Sequence, residues 1–297
     1  MTVKSISFGA PFAWLTASVE SLRKDPAALF RATALLLTVV MAPVVIQQFL
    51  LRTIQPIALG MSLAIQAVFM LYSMLVVPPV MGGYFRILHL REQGQPVSAT
   101  GVFAMFHEPG AAKRMIAIAL IFTAIFVVLF IAMYYATGGY LAEVFKIAAA
   151  TPPGKPPEFP PPPNGFLLWC LAFGFVGLIL MTAHTLASIQ VALGSRSPIE
   201  AVGDAFAATL RNFGAFFLFY VAMFFALMLF VLVFGLVVGI VAFVLGHISP
   251  ILMMIVLVPV YLWLVLVMYA VMFGFNYQAW CGTLGDGNAP FDQQIAA

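Results

Sequence analysis

Apolar residues in this chain run in long blocks, and polar residues collect between them. A spanning helix needs about 20 mostly apolar residues, and six stretches meet that length. They run from about Leu29 to Leu51, Ile57 to Tyr84, Met115 to Tyr135, Phe166 to Leu193, Phe213 to Leu245, and Ile251 to Trp280. Between the last two, Gly246-His247-Ile248-Ser249-Pro250 reads as a helix stop at Gly246, an N-cap at Ser249 and a proline at the first helical position. A tight hairpin is therefore expected there.

A second period lies beside the first. Three times, a short amphipathic stretch stands just before a pair of spans. Phe12, Leu15, Val19 and Leu22 share one helical face against Glu20, Arg23 and Lys24. Val102, Phe103 and Phe106 follow Ser98, and Ile199, Val202, Phe206, Leu210 and Phe213 follow the capping box Ser197-Pro198-Ile199-Glu200. Asp25-Pro26 and Glu108-Pro109 hold the same place in the first two copies, and no such pair follows the third. Helices of this kind lie in the headgroup plane. The expected fold is all-α, a polytopic membrane domain of six transmembrane helices. It reads as three repeated units, 8–92, 96–193 and 197–281, each an interfacial helix plus two spans, followed by a C-terminal tail over 282–297.

Composition agrees. Of 297 residues 64% are hydrophobic and 8% charged, against about 25% charged in a soluble domain. Lipid tails solvate such a surface as water cannot. Lys4, Arg23, Lys24, Arg31, Arg86, Arg91, Lys113, Arg114, Arg196 and Arg211 fall on one side of the spans, and only Arg52, Lys146 and Lys155 on the other. The bias predicts both termini in the cytoplasm. No cleavable leader is expected, because the first apolar run starts near Leu29 and is longer than a signal core. The net charge of +3 is too small for nucleic-acid binding. Membrane lipids, other inner-membrane proteins or further copies of the chain are the partners left.

The segment Ala148 to Asn164 holds Pro152, Pro153, Pro156, Pro157 and the run Pro160 to Pro163. Such density prevents a helix and favours an extended strand, which reads as a periplasmic spacer or as a docking segment.

Chemistry is sparse. No carboxylate, Lys or Arg lies centrally in a predicted span, which removes the usual parts of a proton relay. His184 is the one titratable side chain near mid-span. It reads as a proton-responsive or metal-contacting group, or as a neutral imidazole bonded to a neighbouring helix. Gln66, Gln190 and Asn276 could join it along a polar path, or serve as interhelical hydrogen-bond partners. Gly235 and Gly239 form a GxxxG that permits internal packing or dimerisation, and the prolines at 43, 78, 79 and 259 predict kinks. Cys170 and Cys281 are expected near opposite membrane faces and so unpaired. No cofactor, no metal site and no enzyme are expected, since no nucleophile with a base and no ligand cluster can be assembled.

Five local patterns carry a resemblance. Met81-Gly82-Gly83-Tyr84 is followed by the charged turn Arg91-Glu92-Gln93-Gly94 and by Phe103-Ala104-Met105-Phe106. The chain also closes on Tyr277-Gln278-Ala279-Trp280 and the pair Gly285-Asp286. In this it resembles a group of uncharacterised proteobacterial multi-pass inner-membrane proteins, and more broadly YciC-like proteins and the membrane domain attached to some glycerophosphodiester phosphodiesterases. The resemblance implies the fold and an inner-membrane location. It implies no phosphodiesterase activity, because no segment here is long or polar enough to be the soluble catalytic domain.

Overall fold

The computed structural model describes residues 3–53, 59–151, 155–194 and 196–285. The described residues are helical with no strand. In chain order they form α1 (Ala10–Lys24), α2 (Pro26–Thr53), α3 (Leu59–Leu75) and α4 (Val77–Glu92). A 3-10 turn (Ala99–Phe103) leads into α5 (Ala104–His107) and α6 (Ala111–Ala136). Then come α7 (Tyr140–Ala150), α8 (Phe166–Leu193), α9 (Pro198–Arg211), α10 (Phe213–Ile248) and α11 (Pro250–Thr283). Six segments are long and apolar enough to cross a bilayer: Pro26–Leu51, Gly60–Glu92, Ala111–Ala136, Phe166–Leu193, Phe213–Ile248 and Pro250–Thr283. The chain is a multi-pass membrane protein.

The second span departs from its predicted form in two ways. It is broken at Val76, just ahead of Pro78 and Pro79, whose rings occupy the first turn of α4. Proline has no N–H to bond back and its ring crowds the preceding carbonyls, so the helix restarts instead of continuing. It also runs two turns beyond Tyr84, because Phe85, Ile87 and Leu88 bury one side of those turns. Arg86, His89, Arg91 and Glu92 therefore stand on a helix rather than in a loop. In α2 and α11 the helix continues through Pro43 and Pro259.

Packing is uneven along the spans. Near the short helices the side chains are buried: Trp14, Tyr84, Phe85, Phe122, Leu186 and Phe216 are among the largest with almost no exposure. Toward the other end the helices are bare. Leu227 to Val233 in α10 are all exposed, so almost two turns of that helix bury no side of themselves in the molecule. We call the packed end the head and the other end the distal half.

In the head, the second spans α4, α8 and α11 touch one another, with α2 against α4 and α11, and α6 against α4 and α8. Each short helix packs on one member of that inner trio: α1 on α11, the 3-10 turn on α4, and α9 on α8. Gly83 shows what such contact requires. A Cβ there would lie 2.5 Å from the carbonyl carbon of Val102 and 2.9 Å from the oxygen of Gly101. Only a residue without a side chain lets the two backbones approach so closely.

The short helices pack on the spans in part through small residues and leave some large apolar side chains outward. In α9 the buried residues are Ala201, Ala205, Ala208 and Thr209, whereas Ile199 is 79% exposed and Leu210 is exposed too. In α1 the buried line is Trp14, Ala17, Ser18 and Leu22, with Phe12 outside. Small side chains let a helix seat closely on its neighbour, so the large apolar ones are left on the outer edge. Ser197 caps α9 as predicted, receiving the Glu200 N–H while the Glu200 carboxylate accepts from the Ser197 N–H.

The hairpin also differs in detail. Ser249 caps α11, accepting from Leu252 N–H at 3.4 Å, but α10 continues through Gly246 to Ile248. Gly246 is thus not the stop. Of the proline-rich stretch, Ala148 to Ala150 belong to α7 and residues 155–164 carry no regular element. Pro152 and Pro153, Asp286 and most of the 282–297 tail lie outside the described residues.

Candidate functional site

Polar side chains gather in the head, where they join the short helices to the spans. Ser21 of α1 donates its hydroxyl to the Glu92 carboxylate of α4 at 2.7 Å and accepts from Arg91 Nη1 at 2.7 Å. Arg91 also donates to the Ser21 carbonyl. One turn deeper, His89 bridges α4 and α11, with Nδ1 3.0 Å from the Tyr277 hydroxyl and Nε2 2.9 Å from the Gln93 amide nitrogen. With its proton on Nδ1, the imidazole donates to Tyr277 and accepts from Gln93. Arg86 pairs with Glu108.

The N-terminal segment is held in the same way. Asn212, between α9 and α10, donates to the Lys4 carbonyl at 2.9 Å and accepts from the Ile6 N–H at 3.0 Å. Arg211 donates to the Val3 carbonyl, and Lys4 N–H donates to the Thr283 carbonyl at the end of α11. The first residues of the chain thus clasp its last two spans.

The four candidates from the sequence fall into separate surroundings. Gln190 is 1% exposed, and its amide donates to the Asp204 carboxylate of α9 at 2.9 Å, with Arg196 Nε 3.8 Å from the same oxygen. His184 lies with its ring centroid 4.8 Å from that of Phe122 on α6. Gln66 is on the exposed side of α3, its amide 3.4 Å from the Ser62 hydroxyl one turn back. Asn276 is half-buried in α11. Gln66 is therefore apart from the half-buried His184 and the buried Gln190 of α8. A cavity of about 280 Å³ opens between α10 and α11, lined by Phe234, Val238, Leu257, Val258, Val260 and Tyr261, and none of the four reaches it.

Two hydroxyl pairs, Thr33 with Tyr84 at 2.8 Å and Thr182 with Tyr220 at 3.1 Å, lock neighbouring helices within the apolar head. Threonine and tyrosine alternating with apolar residues carry no sequence signal for such pairing, which is why these contacts were not foreseen. The Gln190–Asp204 bond was half legible: an amide deep in a span needs a partner, but which one depends on where α9 docks. Gly235 and Gly239 have no atom within 4 Å of where a Cβ would sit, so they do not hold helices together inside the molecule. Neither cysteine is in a disulfide. Among the described residues, no three His, Cys, Asp or Glu side chains gather as a metal site would require.

The chain matches no family model, no curated protein and no solved structure.

The capping box makes a pH prediction. Hydrogen bonds from the Ser197 hydroxyl and backbone N–H, with Arg196 nearby, hold the Glu200 carboxyl below its ordinary value. A depressed carboxyl favours the folded helix end above the unfolded value, and that contribution is lost as the pH falls through the folded one. Acid should therefore loosen the start of α9, and Glu200→Gln should remove that pH dependence. Amide exchange at Ala201 and Val202 between pH 3 and pH 7, an interval set by carboxyl titration near about 4, is the measurement. Equal protection profiles in the two proteins would refute the assignment.

Proposed function

We propose that this chain is a non-enzymatic protein of the bacterial inner membrane, a scaffold or accessory factor in membrane or lipid homeostasis, with both termini in the cytoplasm. One observation carries the reading. Ser21, Arg91, His89, Gln190 and Asn212 of the head bond to partners on neighbouring helices or to backbone, joining short helices to spans, and none of the four in-span candidates lines the apolar cavity between α10 and α11. A transporter or an enzyme keeps polar groups turned toward a substrate; here they are turned toward neighbouring helices.

We also infer that the three units are repeats, each led by a cytoplasmic interfacial helix. The inner trio supports this. Met81, Met181 and Met272 stand at matching places in α4, α8 and α11, followed by the small residues Gly83, Ala183 and Gly274, and eleven positions later by Gly94, Gly194 and Gly285. Gly83 abuts the 3-10 turn, Gly274 abuts Ser18 of α1, and Ala183 is fully buried. Lys and Arg on the head side, and the resemblance to inner-membrane families, support the orientation and location.

A second reading is favoured by the break at Val76. A discontinuous span is a common device of transporters, and it would suit a channel or carrier for a small uncharged or amphipathic solute or a lipid. Purified protein in proteoliposomes decides between them. The scaffold reading expects no flux of a lipid analogue or of small neutral solutes above empty vesicles. Flux that is lost on replacing His184 or Gln190 by alanine would establish the second reading.

A further inference from the structure

The chain between the third and fourth spans forms an element that the proline-rich sequence conceals. α6 ends at Ala136 and α7 begins only four residues later. Gly138 and Gly139 make the turn with φ of 59° and 78°, a left-handed conformation that costs glycine nothing. At 1.5 Å per residue, the helix α6 is about long enough to cross a hydrocarbon core of about 30 Å. Its last residues therefore mark the membrane boundary, and α7 starts at that level.

The residues around this turn are those that favour the boundary. Tyr134 and Tyr135 are exposed, with ring centroids 5.5 Å apart. Tyr140 meets Phe166, the first residue of α8, edge-on at 4.9 Å, and its hydroxyl donates to the Pro160 carbonyl at 3.0 Å. Trp169 follows on α8, partly exposed. Rings with one apolar face and one polar edge collect at headgroup level, and here they come from both flanking spans.

α7 itself is two-sided. Tyr140, Leu141, Val144, Phe145 and Ile147 share one side at helical spacing, and Glu143 and Lys146 take the other. Phe145 is 72% exposed, and α6 is the element that α7 packs against. Its two charges cancel, so an apolar surface and not a charged one is what it offers. We propose that α7 lies in the headgroup layer of the membrane face opposite the head, with the Phe145 side sunk into lipid and the proline-rich segment tied to it through Tyr140. The occupant of that side is bilayer lipid, because α7 is continuous with a spanning helix and level with its aromatic ring.

The test uses the full chain in nanodiscs of phosphatidylcholine and phosphatidylglycerol. In a Cys170→Ser, Cys281→Ser background, a fluorescent nitrobenzoxadiazole label is placed through Phe145→Cys or through Lys146→Cys. At 145 the emission is expected at shorter wavelength and lost to doxyl-lipid quenchers near the headgroup. At 146 it is expected at longer wavelength and lost to aqueous iodide. Water-like emission at both positions overturns the proposal. So does shielding of 145 from both quenchers, which would mean that protein covers that side. A photoreactive benzophenone side chain at position 145, in the native cysteine background, reads the same contact independently. Phospholipid adducts support the assignment, and adducts confined to protein refute it.

Discussion

A Gly83→Ala protein is expected to lose stability out of proportion to the single methyl added. The new Cβ would meet the Val102 carbonyl carbon at 2.5 Å and the Gly101 oxygen at 2.9 Å. Both are backbone atoms and cannot rotate aside, so either the 3-10 turn or α4 must move. Overpacking a tight core costs about 1–3 kcal/mol, and a clash with backbone belongs at the upper end. The unfolding midpoint in mild detergent should fall clearly. Gly235→Ala is the matched control, since nothing lies within 4 Å of its Cβ. If both variants unfold at the parental midpoint, the close seat of the 3-10 turn on α4 is wrong.

Trp14→Ala is expected to have the larger effect. Trp14 is 2% exposed, and its ring meets Phe216 of α10 at 6.1 Å and Phe275 of α11 at 6.2 Å. Gly282 lies against the ring, its place for a Cβ only 3.0 Å from Nε1. Removing so large a buried ring costs about 3–5 kcal/mol, part of it for the cavity left behind. The loss should release α1 from α11, so limited proteolysis should cut within α1 of the variant and spare the parent. Trp14→Phe, which keeps part of the ring contact, should fall between them. Equal protease resistance of all three would mean that α1 is not held by this contact.

These two residues also mark what the sequence discloses and what it withholds. The spans were legible because lipid imposes a run of apolar residues of fixed length, and each predicted span matches a helix to within a few residues except the second. That one ends later, since Arg86, His89 and Arg91 stand on a helical side that neighbours satisfy. The faces by which α1 and α9 seat on the spans are not legible, for a different reason. Hydrophobic period identifies a two-sided helix, but Ile199 and Ala201 are both apolar, and only packing against α8 decides which is buried. The small line Ala201, Ala205, Ala208 wins because it permits a closer approach. α7 was hidden by the prolines that follow it, although its own eleven residues contain none. His184, Gln190, Gln66 and Asn276 were found by residue type, but type carries no information about direction. Gln66 turns outward and Gln190 turns toward Asp204.

The clasp between the first and last helices sets an order for biosynthesis. α1 is among the earliest segments to leave the ribosome, yet its seat on α11 is among the last to exist. At about 5–20 residues per second, Trp14 waits about 10–50 s for Phe275 and Gly282 to be made. During that interval the α11 side of its ring is uncovered. A nascent chain stopped before Pro250 therefore holds α1 through Ser21 on α4 and through Trp14 and Phe12 on α10, without its seat on α11.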